Sequence, residues 1–142
     1  MGYATQQDLS DRFGASELAQ LTDRTAGTTI DVTVVARALS DADAEIDAYL
    51  GARYALPLTT VPSVLARVAA DIARYRLHED RATESVRTRY EDAVTFLKRV
   101  AAGDVQLGNA TPLAANTQVG GGNAVAVRSG TRALSGTALS GY

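Results

Sequence analysis

Cysteine is absent from this chain, histidine occurs once, at His78, and no apolar run approaches the roughly 20 residues that span a bilayer. Without cysteine there is no disulfide, no thiolate metal site and no cysteine nucleophile, and a reducing compartment is compatible with the sequence. One imidazole cannot build a histidine-rich metal centre. A surplus of cations is missing too: 14 Lys and Arg stand against 16 Asp and Glu, a formal charge of -2. That balance offers no electrostatic footprint for gripping a nucleic-acid backbone. Met1 to Ser10 is polar rather than basic and then apolar, so no signal sequence is expected, and the protein reads as soluble and intracellular.

What is present suits one domain. The chain has 142 residues, 46% of them hydrophobic, enough for a real but modest core. Val61 to Leu77, VPSVLARVAADIARYRL, is the stretch around which the rest organises. At a period of 3.6, Leu65, Val68, Ala69, Ile72 and Arg76 fall on one stripe, flanked by Val64 and Tyr75. Pro62 suits the first turn, and Thr59 or Thr60 is placed to cap it. So wide an apolar face needs helices from both sides of the sequence.

Upstream, Thr5-Gln6-Gln7-Asp8 resembles a capping box opening a short helix that carries Leu9 and Phe13 and stops at Gly14. Ser16 is expected to cap a second short helix carrying Leu18 and Leu21. Its Ser16 to Asp23 span contains no Lys or Arg, which argues against a DNA-recognition helix. Asp31 caps a third helix running to about Ala52, with Ile30 and Val35 as a hydrophobic staple. Its stripe is Val35, Ala38, Leu39, Ala42, Ile46, Tyr49 and Leu50. Pro57 keeps Tyr54 to Thr60 extended. After a charged bend at His78 to Arg81, a fifth helix from about Ala82 to Ala102 presents Val86, Tyr90, Ala93, Leu97 and Val100. Gly103 is its left-handed stop. The fold expected is all-α: a small bundle of two short N-terminal helices and three longer antiparallel ones, spanning 1–103.

Composition changes at Asp104. From there to Tyr142 the chain is rich in Gly, Ala, Thr, Ser and Asn, and only Asp104, Arg128 and Arg132 are charged. Such a stretch buries too little apolar surface to offset its ordering entropy, so 104–142 reads as an extended interaction arm. Asn123 to Arg128, after three glycines, has the pattern of a short strand. The arm's candidate contact residues are Val119, Asn123, Val125, Val127, Arg128, Arg132, Leu134, Leu139 and Tyr142.

The densest charge run is DADAEID, Asp41 to Asp47. As a calcium loop it fails, because Ile46 stands where Gly is required and Ala52 where the bidentate Glu is required. On a helix, Asp41 and Glu45 are expected to face outward as an acidic channel or inter-subunit face, with Asp43 and Asp47 bordering the apolar stripe. Arg76 then either pairs with Asp43 or Asp47 or, more simply, lays its stem on the core and sends its head to water. Asp71 between Arg67 and Arg74 reads as an ordinary surface network, worth under about 1 kcal/mol per pair. His78 lacks a serine or acidic partner at catalytic spacing, and no nucleophile-elbow, Walker-type or dinucleotide glycine pattern occurs. No catalytic, cofactor or metal site is expected.

In order and spacing, YATQQDLSDRFGASELAQLTDR, DADAEIDAYLGARYALPL with VPSVLARVAADIARYRL, and RYEDAVTFLKRVAAGDVQLG resemble a Mu-like phage and prophage family. That family's helical core is similar to the head-to-tail connector adaptors of long-tailed phages. The resemblance covers about Tyr3 to Gly108. It implies a structural virion protein of the neck, made in the host cytoplasm and assembled as a ring, usually of twelve copies, beneath the portal. The implied partners are the portal protein, neighbouring copies, a tail terminator or completion protein, and double-stranded DNA that passes without specific binding; no membrane or cofactor is implied. The competing reading is a DNA-binding accessory protein of packaging or regulation.

Overall fold

Thr5 starts the first helix as the spacing predicts. In a computed structural model, which describes residues 2–108, Ala110 and Pro112, its hydroxyl accepts the Asp8 N–H at 3.2 Å, and the Asp8 carboxylate accepts the Thr5 N–H at 2.8 Å. This closes the capping box of α1, Gln6–Phe13. Gly14, at φ 93, turns the chain directly into α2, Ala15–Thr22. Ser16, expected as the cap, lies inside the first turn, because the glycine corner leaves no residue between the helices for a side-chain cap. Buried Thr22 then donates to the Leu18 carbonyl at 2.8 Å and accepts the Asp31 N–H at 2.9 Å, tying the end of α2 to the next helix.

Helix α3, Val32–Leu50, is capped by Asp31, whose carboxylate accepts the Thr33 and Val34 N–H groups. It stops two residues before Ala52, with Gly51 as its C-cap residue. Helix α4, Ser63–His78, starts with Pro62 as the cap residue itself, in an extended conformation, and neither Thr59 nor Thr60 caps it. A 3-10 turn, Glu79–Arg81, leads to α5, Glu84–Ala102, capped by Thr83. Gly103 ends α5 at φ 90 and ψ 3, the left-handed stop.

Helix α4 is the hub, packing against α1, α2, α3 and α5. Leu65, Val68, Ala69, Ala70, Ile72 and Ala73 are all fully buried, so burial extends well beyond one stripe. The three alanines let neighbouring backbones close in, while each large aliphatic contributes about 1.5–3 kcal/mol of transfer free energy. Val34, Arg37 and Ala38 of early α3 border a groove with Arg76 and Leu77 of late α4. Tyr90 of early α5 stacks on Tyr75 of late α4 at 4.1 Å. Helix α4 therefore runs against both neighbours, and the expected all-α bundle is what forms.

Packing does not stop at Gly103. Leu107 and Ala110 are buried, Leu107 N–H donates to Tyr54 Oη at 2.9 Å, and Tyr54 pairs with Pro112 in an isolated antiparallel bridge. The compact unit reaches Pro112, past the boundary composition suggested, with Leu107 and Ala110 buried in the same apolar cluster as Tyr54. The arm's candidate contacts, Val119 through Tyr142, and the expected strand at Asn123 to Arg128 lie outside the described residues.

Candidate functional site

The four carboxylates of DADAEID do not share one role. Asp41 is exposed, as expected. Glu45 is not a free outward charge: it accepts from Arg76 Nη2 at 2.7 Å and from Tyr90 Oη at 2.9 Å, and its side chain is only 15% exposed. One residue therefore joins α3, α4 and α5. The reason is angular. At 100° per residue Glu45 stands only about 20° from Ala38, inside the border of the buried stripe. Arg76 thus pairs with neither Asp43 nor Asp47, which lie on the other flank. Its guanidinium, 44% exposed, is both solvated and paired, and Glu45 raises its pKa. The Tyr90 phenol is pushed up to about 12 by burial and by Glu45.

Asp43 and Asp47 hold the N-terminal segment instead. The Tyr3 N–H donates to Asp43 Oδ1 at 3.0 Å, and the Tyr3 hydroxyl donates to Asp47. Burial raises the Asp43 pKa, and the nearby Asp47 charge adds to the rise. Among the described residues no Lys or Arg reaches salt-bridge distance of either carboxylate. Nor does any group of three or more His, Asp or Glu side chains there stand together as metal ligands.

Asp71 departs furthest from expectation. It is buried, 4% exposed, where a surface pair was anticipated. Arg67 Nη1 approaches Oδ2 at 3.5 Å, and Arg89 Nη1 of α5 approaches Oδ1 at 3.9 Å. Burial raises its pKa despite the surrounding charges of Arg89, Arg67, Arg12 and Arg74. Arg74 is committed elsewhere: it forks onto Glu17 at 2.7 and 2.8 Å and lies 4.3 Å over the Phe13 ring, fastening α1 and α2 to α4. Nothing in the spacing pointed to Arg89 or Glu17, since both contacts cross between helices. The Glu45 position could have been found by measuring its angle to Ala38. His78 Nε2 is buried without a partner, and burial lowers its pKa.

The ties described are structural, binding helix to helix. A family model described as Bacteriophage Mu, Gp36 matches residues 3–126. The chain belongs to the Bacteriophage Mu Gp36 family. Two relatives agree. The Mu-like prophage FluMu protein gp36 of Haemophilus influenzae is 44% identical over 106 residues, 75% of each chain. Gene product J of Escherichia phage Mu is 40% identical over 119 residues, 83% of this chain and 84% of that protein. A helical protein of the Mu-like phage kind is therefore in hand, and the Gp36 family match runs beyond the packed unit that ends at Pro112.

Proposed function

We propose that this Gp36-family chain is a structural virion protein that joins the DNA-filled head to the tail, assembling as a ring of copies beneath the portal. The observation that carries this reading is that the family match continues past Pro112 to residue 126, into Gly- and Ala-rich sequence with too little apolar surface to form a core. Packed unit and poorly core-forming tail thus belong to one family pattern, which suits a subunit that takes shape partly from its partners. The bundle serves as the rigid wedge, and the tail, including Val125, Val127 and Leu134, reaches the portal, a neighbouring copy or the tail completion protein. DNA passes through the ring without specific binding, consistent with a chain of net charge -2.

Mass photometry of the full chain with the portal protein tests this. A ring-sized species is the expected result; a monomer indifferent to portal at micromolar concentration overturns it. Salt-dependent retention of duplex DNA at that concentration would instead favour the DNA-binding accessory reading.

A further inference from the structure

Among the described residues, His78 Nε2 stands alone as a side-chain polar atom that is buried and has no hydrogen-bond partner. The residue as a whole is half-buried, so the ring turns this nitrogen inward. His78 is the last residue of α4, one turn after Arg74 and on the same helix face. Two ion pairs bracket it. Arg74 forks onto Glu17 of α2 on one side, and Arg24, just past α2, pairs with Glu79 on the other. Gln20, Asp23 and Arg24 line one groove with Glu79, Asp80 and Arg81, so the end of α2 runs beside the end of α4.

A neutral imidazole tolerates this place. With its proton on Nδ1, Nε2 offers only a lone pair, and the ring packs as a flat plate. Protonation turns Nε2 into a positively charged N–H in a site with no acceptor, which is costly. The charged groups facing the ring bring little relief. Glu17 of α2 is the carboxylate that faces it, and Arg74 holds both of its oxygens; Arg74 of α4 and Arg81 of the turn repel a further cation. The C-terminus of α4 favours a positive charge, but burial outweighs it and the pKa is lowered.

We propose that His78 is a pH-sensitive latch, which when neutral lets α2 close on the end of α4 and when protonated releases the α1–α2 hairpin while α3, α4 and α5 stay packed. Release is local because the hairpin buries only Leu9, Leu18, Ala19 and Thr22, whereas the long helices hold one another through residues such as Leu65, Ile72, Leu97 and Val100. The latch is closed above the unfolded histidine value near 6.5 and opens as pH falls through the folded value. It lies within one protomer and does not depend on ring assembly.

The chain has a single histidine, so the titration belongs to one known group. Hydrogen exchange of the full chain from about pH 7.5 to about pH 5, corrected for the intrinsic chemistry of exchange, tests the latch. Amides of α1 and α2 should lose protection by up to about 10-fold per pH unit below 6.5, with α4 amides little changed. H78F keeps a flat ring without nitrogen and should abolish that loss. The difference between the two chains isolates His78, since Asp43 and Asp71, whose pKa values are raised, titrate in both and act with the opposite sign. An acid loss of α1–α2 protection that is absent from the wild type, undiminished in H78F, or matched by α4 overturns the latch. Should H78F not fold, the imidazole titration of the wild type by NMR decides: a value below the ordinary one near 6.5 is expected, and one at or above it overturns the proposal.

Discussion

Leu107 and Tyr54, 53 positions apart, meet in a buried hydrogen bond in which the Leu107 N–H donates to Tyr54 Oη at 2.9 Å. Tyr54→Phe keeps the ring and deletes the acceptor, stranding a buried N–H. The expected cost is about 1–3 kcal/mol. Urea unfolding measures it, and hydrogen exchange should show the Leu107 amide losing protection while α4 amides keep theirs; unchanged protection would remove the latch.

Asp71 sets a pH dependence whose sign follows from its raised pKa. The folded state holds this proton to higher pH than the unfolded chain does. Stability contributed by Asp71 is therefore fully present below the unfolded value near 4 and is lost as pH rises through the folded value. Wherever Asp71 is ionised, the protein carries a buried charge at a cost. Asp71→Asn should accordingly raise the melting temperature at pH 7, with the gain shrinking as pH is lowered through that window. A variant less stable than wild type at pH 7 would show that Arg67 and Arg89 more than offset the burial.

Glu45 links three helices, and its charge is felt at Tyr90. Glu45→Gln preserves shape but removes the anion, so Arg76 loses a charge-assisted bond and the Tyr90 phenol should titrate below its present value of about 12, toward the ordinary phenol range. A tyrosine titration followed by NMR measures the shift. With Arg76 44% exposed, the accompanying loss of stability should be modest, about 1 kcal/mol.

These two carboxylates mark where the sequence stopped being informative. Periodicity located α3, α4 and α5 because their apolar residues recur at the helical repeat, and Gly103 announced its own left-handed geometry. Placement of Asp71 was not legible. Its neighbours in sequence, Arg67 and Arg74, suggest a solvated network, whereas in the fold it is buried, and its second cation, Arg89, comes from α5, 18 positions away. Glu45 was misjudged by dividing α3 into inside and outside, although a third helix covers that edge. The end of the packed unit was misplaced at Gly103 because a Gly- and Ala-rich composition hides one well-placed leucine.

Two truncations separate that leucine's role from the tail's. Ending the chain after Gly103 removes Leu107, uncovers Tyr54 and deletes its hydrogen bond, so the bundle should fold with a loss of about 2–4 kcal/mol from the lost apolar cover and the lost bond together. Ending it after Pro112 keeps Leu107, Ala110 and the Tyr54–Pro112 bridge, so thermal stability should match the full chain. The longer truncation product should nonetheless fail to form the ring with portal, because the tail beyond Pro112 is what the proposed assembly requires. Melting curves and mass photometry on the same two samples decide the matter: equal stability for both truncations would make Leu107 incidental, and a full-sized ring from the chain ending at Pro112 would confine assembly to the bundle.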